Sequence, residues 1–230
     1  MASEIINKLL KKHQHEFAAV VDLDSSEEKI IRLNFTASNT ALTAEIVNDT
    51  QLFSEYIESQ IAHHSAKYGV GGYMEERTVY ARSNHFNTQE GEPRRLHLGV
   101  DIWGVAKTPI YAFTDAKVHS FAFNDTFGDY GATIILEHSL EGITFFSLYG
   151  HLSLKSLEGL NPGKIIKKGT AFCEFGVPIE NGHWPPHLHF QLMTNMEDKE
   201  GDYPGVAKIS EKELWMQKIP DANLVLNWIY

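Results

Sequence analysis

The stretch Trp184-Pro-Pro-His187-Leu188-His189-Phe190-Gln-Leu192 places two histidines one residue apart, between a Pro-Pro dipeptide and an alternating apolar run. This alternation predicts a strand with His187 and His189 on one face and Leu188 and Phe190 on the other. At about 3.3 Å per residue, the two histidine Cα atoms would stand about 6.6 Å apart, so both imidazoles can reach one small volume. The pair therefore predicts a binding site whose other members lie elsewhere in the chain.

A second stretch, His97-Leu98-Gly99-Val100-Asp101, carries another histidine together with a carboxylate. In a strand, His97 and Asp101 share one face while the apolar residues between them face the core. Four strand residues span about 13 Å, which is too far for two ligands that each lie about 2.0–2.2 Å from one ion. We therefore expect the strand to bend or bulge at Gly99.

Three nitrogen or oxygen ligands for one metal ion are available if His97 and Asp101 meet one histidine of the pair. Three protein ligands and a water form the open site of a catalytic zinc ion, whereas structural zinc sites have four ligands and commonly use cysteine. The chain has one cysteine, Cys173, so the pattern favours catalysis. Zinc lowers the pKa of its water to about 7 and polarises a carbonyl, as amide hydrolysis at neutral pH requires. The spacing leaves open which of His187 and His189 binds the metal and which handles protons.

A further histidine, His151, follows Tyr149-Gly150 at the end of a predicted strand. Side chains at strand ends beside glycine are well placed to lean into a cleft. We predict that His151 is a second imidazole that handles protons.

Short apolar segments separated by Gly, Asn, Asp and Pro follow one another from about residue 95, which predicts a mainly β fold, an antiparallel sandwich or barrel-like sheet. The predicted strands are 96–102, 109–112, 116–123, 132–138, 144–148, 170–175 and 187–193. Upstream, we predict an amphipathic helix over residues 1–17, strands at 17–23 and 29–35, and a capped helix over about 50–67. Ser210 and Glu213 form the pattern of a capping box for a short helix through Met216.

These elements divide the chain into an N-terminal α+β segment at residues 1–90 that packs on the core, a β core at 91–195 and a C-terminal extension at 196–230. The glycine-rich stretch 68–73 is predicted to be a mobile loop near the first boundary. All five candidate site residues fall in the middle segment.

The formal net charge is −10, from 30 acidic and 20 basic residues, and no block of Lys and Arg stands out. A nucleic-acid partner is therefore not expected. No run approaches the ~18 apolar residues that span a bilayer, so a membrane partner is not expected either, and residues 1–17 do not resemble a signal peptide. These features predict a cytoplasmic protein; the alternative is the mature form of an extracytoplasmic one.

Four motifs occur together in one order and carry a family resemblance. They are His97-Leu-Gly-Val-Asp101, Asp129-Tyr-Gly-Ala-Thr-Ile-Ile-Leu-Glu-His138, Tyr149-Gly-His151-Leu-Ser153 and Pro186-His187-Leu-His189-Phe190. Over residues 91–193 the chain resembles the lysostaphin/LytM-type zinc metalloendopeptidases. The joint occurrence of these motifs is much more specific than any one of them.

This resemblance implies a Zn²⁺ ion held by His97, Asp101 and His189. It also implies that His151 and His187 are the catalytic imidazoles, which position the water that attacks a peptide bond and stabilise the tetrahedral intermediate. The implied fold contains a duplicated hybrid motif, which residues 154–176 also resemble. The family's usual substrates are short glycine- or D-alanine-containing peptide links of bacterial peptidoglycan.

A narrower resemblance is to the peptidase-like module that is fused to class III aminotransferase and kinase-like modules in some large proteins. The motifs together with Gly201-Asp-Tyr-Pro-Gly205 carry it, and it implies a cytosolic role other than wall lysis. The bulky loop Asn181-Gly-His-Trp-Pro-Pro186 departs from the small turn of many relatives, and we expect it to reshape the cleft.

Several alternatives stay open at this point. The chain could be a catalytically silent or regulatory metal-binding module that recognises a peptide or a protein partner, or a phosphocarrier. His97 and Asp101 taken alone could form a plain ion pair. For Tyr73, Arg77 and Tyr80 a structural role is favoured over stabilising an oxyanion, and for Cys173 an inert buried thiol is favoured over a nucleophile. His183 and Trp184 are equally compatible with a cleft rim and with loop packing.

Overall fold

The computed structural model describes residues 2–87 and 91–228, and its architecture is mainly β, as predicted. The strands are β1 (Ile30–Arg32), β2 (Tyr68–Gly71), β3 (Glu75–Glu76), β4 (Arg94–His97), β5 (Val100–Trp103), β6 (Pro109–Tyr111), β7 (Ala116–Asn124), β8 (Gly131–Leu140), β9 (Ile143–Leu152), β10 (Ile165–Ile166), β11 (Ala171–Glu174), β12 (His187–Met193) and β13 (Val206–Lys208). The helices are α1 (Ala2–His13), α2 (Ala44–Asn48), α3 (Thr50–His63), α4 (Lys212–Lys218) and α5 (Asn223–Leu226). None of the helices in the described part of the chain has the length and apolar character needed to cross a membrane.

The largest sheet has the strand order β1-β2-β5-β12-β9-β8-β7-β10 and is antiparallel except for the parallel pair β1–β2. Two small sheets, β11–β6 and β13-β4-β3, accompany it. Within the described residues the large sheet stays open, with β1 and β10 at its edges, so the sandwich-like alternative holds and the closed barrel does not. Strand β12 lies near the middle of this sheet, between β5 and β9.

Alternating side chains bury both faces of the large sheet. On β8, Ile134 joins the main hydrophobic core while its neighbour Ile135 joins a second core on the opposite face. Strand β12 sends Leu188 and Phe190 into the main core, as its sequence pattern predicts. Burial of each such side chain stabilises the fold by about 1.5–3 kcal/mol. These core contacts fix the position of β12, and with it the opposite face, which carries the histidines.

The N-terminal segment contributes strands to the same sheets that carry the core. Strand β2 pairs with β5, and β3 pairs with β4. The stretch 68–73 is therefore not the predicted mobile loop, because residues 68–71 form β2. Its glycines give room to neighbours, since a Cβ at Gly69 would collide with Leu33 and a Cβ at Gly71 with Arg77. The predicted boundary at residue 90 lies outside the described residues, and the division into domains stays a prediction.

Several local predictions have definite outcomes. The cap of α3 is confirmed, because the Asp49 side chain accepts hydrogen bonds from Gln51 N and Leu52 N at 2.8 and 3.0 Å, although α3 ends at His63. The capping box at Ser210 is wrong, because the Ser210 hydroxyl binds Glu92 and α4 begins only at Lys212. The predicted strand at 96–102 is two strands, β4 and β5. Strand 17–23 is reduced to a single bridge at Val21.

Candidate metal centre

The register of β12 brings two motifs of the sequence together. His189 pairs with Asp101 of β5 on one side and with Gly150 of β9 on the other. His151 therefore follows directly after the residue that faces His189. The sequence predicts that His151 lies at the end of a strand. Because β9 extends to Leu152, His151 instead lies within the strand.

The chain bends between His97 and Asp101, as the distance argument predicts. His97 ends β4 in the three-stranded sheet, whereas Asp101 lies on β5 in the large sheet, and Leu98 and Gly99 make the change of direction. A Cβ at Gly99 would stand 2.7 Å from the Phe190 carbonyl oxygen and 2.8 Å from the His189 ring. Glycine at this position therefore lets the bend approach β12 closely enough for the three side chains to meet.

Three ligand atoms converge on one point. His97 Nε2 lies 3.0 Å from His189 Nδ1 and 3.2 Å from Asp101 Oδ1, and His189 Nδ1 lies 3.0 Å from Asp101 Oδ1. Atoms that bind one tetrahedral zinc ion at about 2.0–2.1 Å stand about 3.3 Å from one another. Two imidazole nitrogens and one carboxylate oxygen at this spacing fit zinc, and they leave a fourth position open.

Hydrogen bonds fix which nitrogen of each ring is available. His97 Nδ1 donates to the Gly72 carbonyl at 2.9 Å, so its Nε2 carries the lone pair. His189 Nε2 donates to Gln191 Oε1 at 3.1 Å, and Gln191 Nε2 donates in turn to the Pro204 carbonyl at 3.0 Å. His189 Nδ1 therefore carries the lone pair. Such partners orient metal-binding histidines and fix their tautomers.

Asp101 is held from its outer side by a buried cation. Arg77 Nη1 donates to Asp101 Oδ2, and Arg77 Nε donates to Glu75 Oε2 at 2.9 Å. Burial lowers the pKa of His97 to about 4, so this ring is neutral at pH 7. Burial acts to raise the pKa of Asp101, but the nearby His97 ring and the Arg77 cation outweigh it and keep that pKa well below its usual value. Because His97 is neutral, Arg77 is the cation that keeps Asp101 ionised at neutral pH.

His151 and His187 form a second pair beside these three residues. Their rings stack with centroids 4.1 Å apart, and Trp103 stacks on the other face of His187 at 3.8 Å. His151 Nδ1 donates to the Asn181 carbonyl and His187 Nδ1 donates to the Pro185 carbonyl, both at 2.7 Å. Each Nε2 therefore carries a lone pair, and no hydrogen bond to either Nε2 is found within residues 2–87 and 91–228.

Both rings of this pair are neutral at pH 7. Burial lowers the pKa of His187 to about 4, and burial together with His187 and His189 lowers the pKa of His151 well below its usual value. His151 also has a left-handed backbone, with φ of 63°, held because its N–H donates to the Tyr130 carbonyl at 2.8 Å. Strain of this kind is concentrated at functional sites. Two adjacent neutral imidazoles with free Nε2 atoms can accept protons.

A cleft of about 790 Å³, part of it open solvent, connects these residues to the surface. Asp101, His151, His187 and His189 line it, whereas His97 lies behind them and is fully buried. One wall is aromatic, and the mouth is charged. The wall contains Tyr80, Phe86 and Trp184, and the mouth contains His85, Arg94, Asp129, Lys199 and Asp202.

Tyr130 also lines the cleft, and its hydroxyl is buried without a hydrogen-bond partner in the described part of the chain. Its ring lies 5.2 Å from His189 and 5.6 Å from His151, centroid to centroid. Two glycines make room for it, since a Cβ at Gly150 would stand 2.5 Å from the ring and a Cβ at Gly205 would collide with the hydroxyl. Burial raises the pKa of Tyr130 well above its usual value, so the hydroxyl stays a donor.

The structure brings the five predicted site residues together, and of the other residues considered Arg77, Tyr80 and Trp184 also lie at the cleft. His183 stacks on Phe127 at 5.5 Å and is not among the cleft-lining residues, whereas Trp184 is. The Tyr73 hydroxyl donates to the Ile219 carbonyl, and Cys173 is a buried thiol whose pKa burial raises.

Sequence reasoning missed the contacts of Arg77 with Asp101 and of Gly72 with His97, as well as the placement of Tyr130. Tyr130 lies in one of the four motifs, in Asp129-Tyr-Gly, where it had no role.

Comparisons with known proteins agree with the motifs. Residues 95–200 match the model of peptidase family M23. Peptidoglycan DD-endopeptidase ShyC of Vibrio cholerae is 22% identical over 178 residues, which cover 74% of this chain and 38% of ShyC. The chain thus spans well under half the length of that relative.

Two solved structures are similar in part. A zinc-containing peptidase from Vibrio cholerae matches with a TM-score of 0.37 and 22% identity, over 53% of this chain and 31% of that one. The catalytic domain of lysostaphin from Staphylococcus simulans matches with a TM-score of 0.41 and 19% identity, over 70% of this chain and 96% of that one. The resemblance indicated by the four motifs is confirmed by the match of residues 95–200 to the model of peptidase family M23.

Proposed function

We propose that the protein is a zinc-dependent metallo-endopeptidase. The observation that carries this proposal is the convergence of His97 Nε2, Asp101 Oδ1 and His189 Nδ1 within 3.2 Å of one another, beside two neutral imidazoles in one cleft. These three residues would hold the ion. When bound, zinc would polarise the peptide carbonyl and lower the pKa of a water.

In this proposal His151 and His187 handle the protons of the reaction. Their Nδ1 atoms are engaged with backbone carbonyls, so each Nε2 can accept a hydrogen bond from the attacking water and then its proton. The protonated ring can then donate to the nitrogen of the leaving amine. Because the rings are 4.1 Å apart, two positive charges would repel, so the pair takes up only one proton beyond those on the two Nδ1 atoms.

A neutral imidazole whose Nδ1 is already engaged has no N–H left for the oxygen of the reacting carbonyl. The resemblance assigned stabilisation of the intermediate to His151 and His187, but their tautomers suit them to accept hydrogen bonds. The Tyr130 hydroxyl is a protonated donor in the same cleft with no other partner in the described residues. We assign to Tyr130 a hydrogen bond to the carbonyl oxygen, which gains negative charge in the transition state.

The substrate in this proposal is a cell-wall-type or glycine-containing peptide. Support comes from the family match and from the relative named as a peptidoglycan DD-endopeptidase. The charged groups at the cleft mouth, such as Arg94 and Asp129, suit a peptide with charged ends or side chains. A cytoplasmic location and the aminotransferase-fused variant of the family stay predictions.

The test combines metal analysis of the purified protein with digestion of muropeptides, oligoglycine and a peptide library. We expect about one zinc ion per chain and cleavage of at least one substrate class. Asp101→Ala and His189→Ala should lose both metal and activity, whereas His63→Ala, an exposed histidine on α3, should keep both. Stoichiometric zinc in both ligand variants would contradict the ligand assignment. Zinc-loaded protein that cleaves none of these peptides would instead support the catalytically silent peptide-binding module.

A further inference from the structure

One buried charge near the site takes no part in the proposed chemistry. The Arg77 side chain is 1% exposed and belongs to the segment that precedes the family-matched residues. A buried cation is costly unless it is paired and hydrogen-bonded. Its partners are two buried carboxylates, Glu75 and Asp101. The Arg77 guanidinium therefore lies between the Glu75 carboxylate and Asp101, the candidate metal ligand.

The two oxygens of Asp101 have different surroundings. Oδ1 faces His97 Nε2 and His189 Nδ1 at 3.2 and 3.0 Å, whereas Oδ2 accepts a hydrogen bond from Arg77 Nη1. A carboxylate that could otherwise use both oxygens on one ion thus presents a single oxygen to the metal position. Hydrogen bonds between a guanidinium and a carboxylate are strong and directional.

The fold fixes Arg77 through the same small sheet that carries His97. Glu75 on β3 pairs with His97 on β4, and its side chain binds Arg77 Nε. The Phe35 ring lies 5.1 Å from the guanidinium carbon, and Gly71 leaves the space that the second terminal nitrogen fills. Any movement of Arg77 would therefore be transmitted to Asp101.

We propose that Arg77 is a positioning residue for the metal centre: by binding Oδ2 it restricts Asp101 to a single metal-binding oxygen, and with Glu75 it balances the charge behind that ligand. This inference rests on the metal-binding part of the proposed function.

The test uses the full-length protein loaded with Co²⁺ in place of zinc, because Co²⁺ absorbs strongly when four-coordinate and weakly when six-coordinate. We expect intense bands for the wild type. Arg77→Met frees Oδ2, so the coordination number should rise and the bands should weaken. Affinity for Co²⁺, measured by competition with a chelator, should fall about 10–100-fold, as is common when a group that orients a ligand is lost.

Arg82→Met is the matched control. Arg82 lies in the same 3₁₀ turn as Tyr80, donates to Thr50 and packs against Trp184, and it contacts none of the three candidate ligands. Its Co²⁺ spectrum and affinity should equal those of the wild type. If Arg77→Met does not fold, Arg77→Lys decides, because one ammonium group cannot reproduce the planar fork that binds Glu75 and Asp101 together.

The outcomes separate the two proposals. A wild-type protein that does not bind Co²⁺ or Zn²⁺ would count against the proposed function. Wild-type binding together with an unchanged spectrum and affinity in the folded Arg77 variants would overturn the role of Arg77 and leave the proposed function intact.

Discussion

Two segments of the chain build the candidate metal centre in different ways. The family-matched segment, residues 95–200, supplies the three candidate ligands and the two imidazoles. The preceding segment, residues 68–87, supplies no candidate ligand, but the Gly72 carbonyl fixes the His97 ring and Arg77 binds the outer oxygen of Asp101. Short motifs thus encode the candidate ligand atoms, whereas contacts between distant segments orient them.

The largest expected effect comes from the imidazole pair of the matched segment. His151→Ala and His187→Ala should each lower kcat by about 10²–10⁴-fold while the zinc content stays at that of the wild type, because neither ring belongs to the three-atom cluster. Peptide hydrolysis and metal analysis of the same samples check this. His119→Ala, which changes a histidine outside the cleft, is the control. Loss of zinc in either variant would mean that the division between ligands and proton carriers is wrong.

The next effect concerns Tyr130, which also belongs to the matched segment. Tyr130→Phe should lower kcat by about 10²-fold, the usual cost of losing one donor to a developing oxyanion. Stability should not fall, because the hydroxyl has no partner in the described residues that its removal would leave unpaired. Tyr149→Phe, which removes a hydroxyl from the main core, should leave kcat unchanged. Equal activity of the two variants would remove Tyr130 from the mechanism.

The comparison also explains what the sequence could predict. Strand alternation around His187 and His189 and the spacing of His97 and Asp101 predict a shared metal site, and the bend at Gly99 follows from the reach of a metal ion. The choice of His189 over His187 as the ligand is only what the family resemblance implies. The contacts that orient the candidate ligands could not be predicted in this way, because the Arg77–Asp101 and Gly72–His97 contacts join residues 24 and 25 positions apart. No local pattern marks such pairs.

The glycine-rich stretch shows why the sequence misled in one place. Glycine is common both in mobile loops and where two backbones or a bulky side chain approach closely, and sequence alone does not separate these uses. At Gly69 and Gly71 close approach is the reason, with Leu33 and Arg77 filling the space. The mainly β fold was predictable because alternation is local, whereas the membership of β2 in the large sheet depends on a distant partner, β5.

A smaller effect is expected from substitutions in the preceding segment, residues 68–87. Gly71→Ala places a Cβ against Arg77 and should weaken zinc binding by about 10–100-fold, measured by competition with a chelator. Gly69→Ala on the same strand places a Cβ against Leu33, so it should lower stability without changing zinc affinity. If both variants lose stability equally and both keep the zinc affinity of the wild type, β2 contributes only to the stability of the fold and does not orient the ligands.

The smallest effect concerns protonation: His151 and His187 should stay neutral at a pH at which an ordinary histidine is protonated. A histidine with the usual pKa of about 6.5 is about 90% protonated at pH 5.5. Burial lowers the pKa of His187 to about 4 and holds the pKa of His151 well below its usual value, so we expect both rings to be mostly neutral at that pH. NMR titration of the histidine ring signals in metal-free protein measures this fraction. Both rings are anchored by carbonyls of the matched segment, at Asn181 and Pro185, and need no residue of 68–87 for their tautomers. Titration of either ring near pH 6.5 would mean that water reaches the rings more freely than the stacking of His187 on Trp103 implies. The matched segment alone would then not keep the two imidazoles neutral.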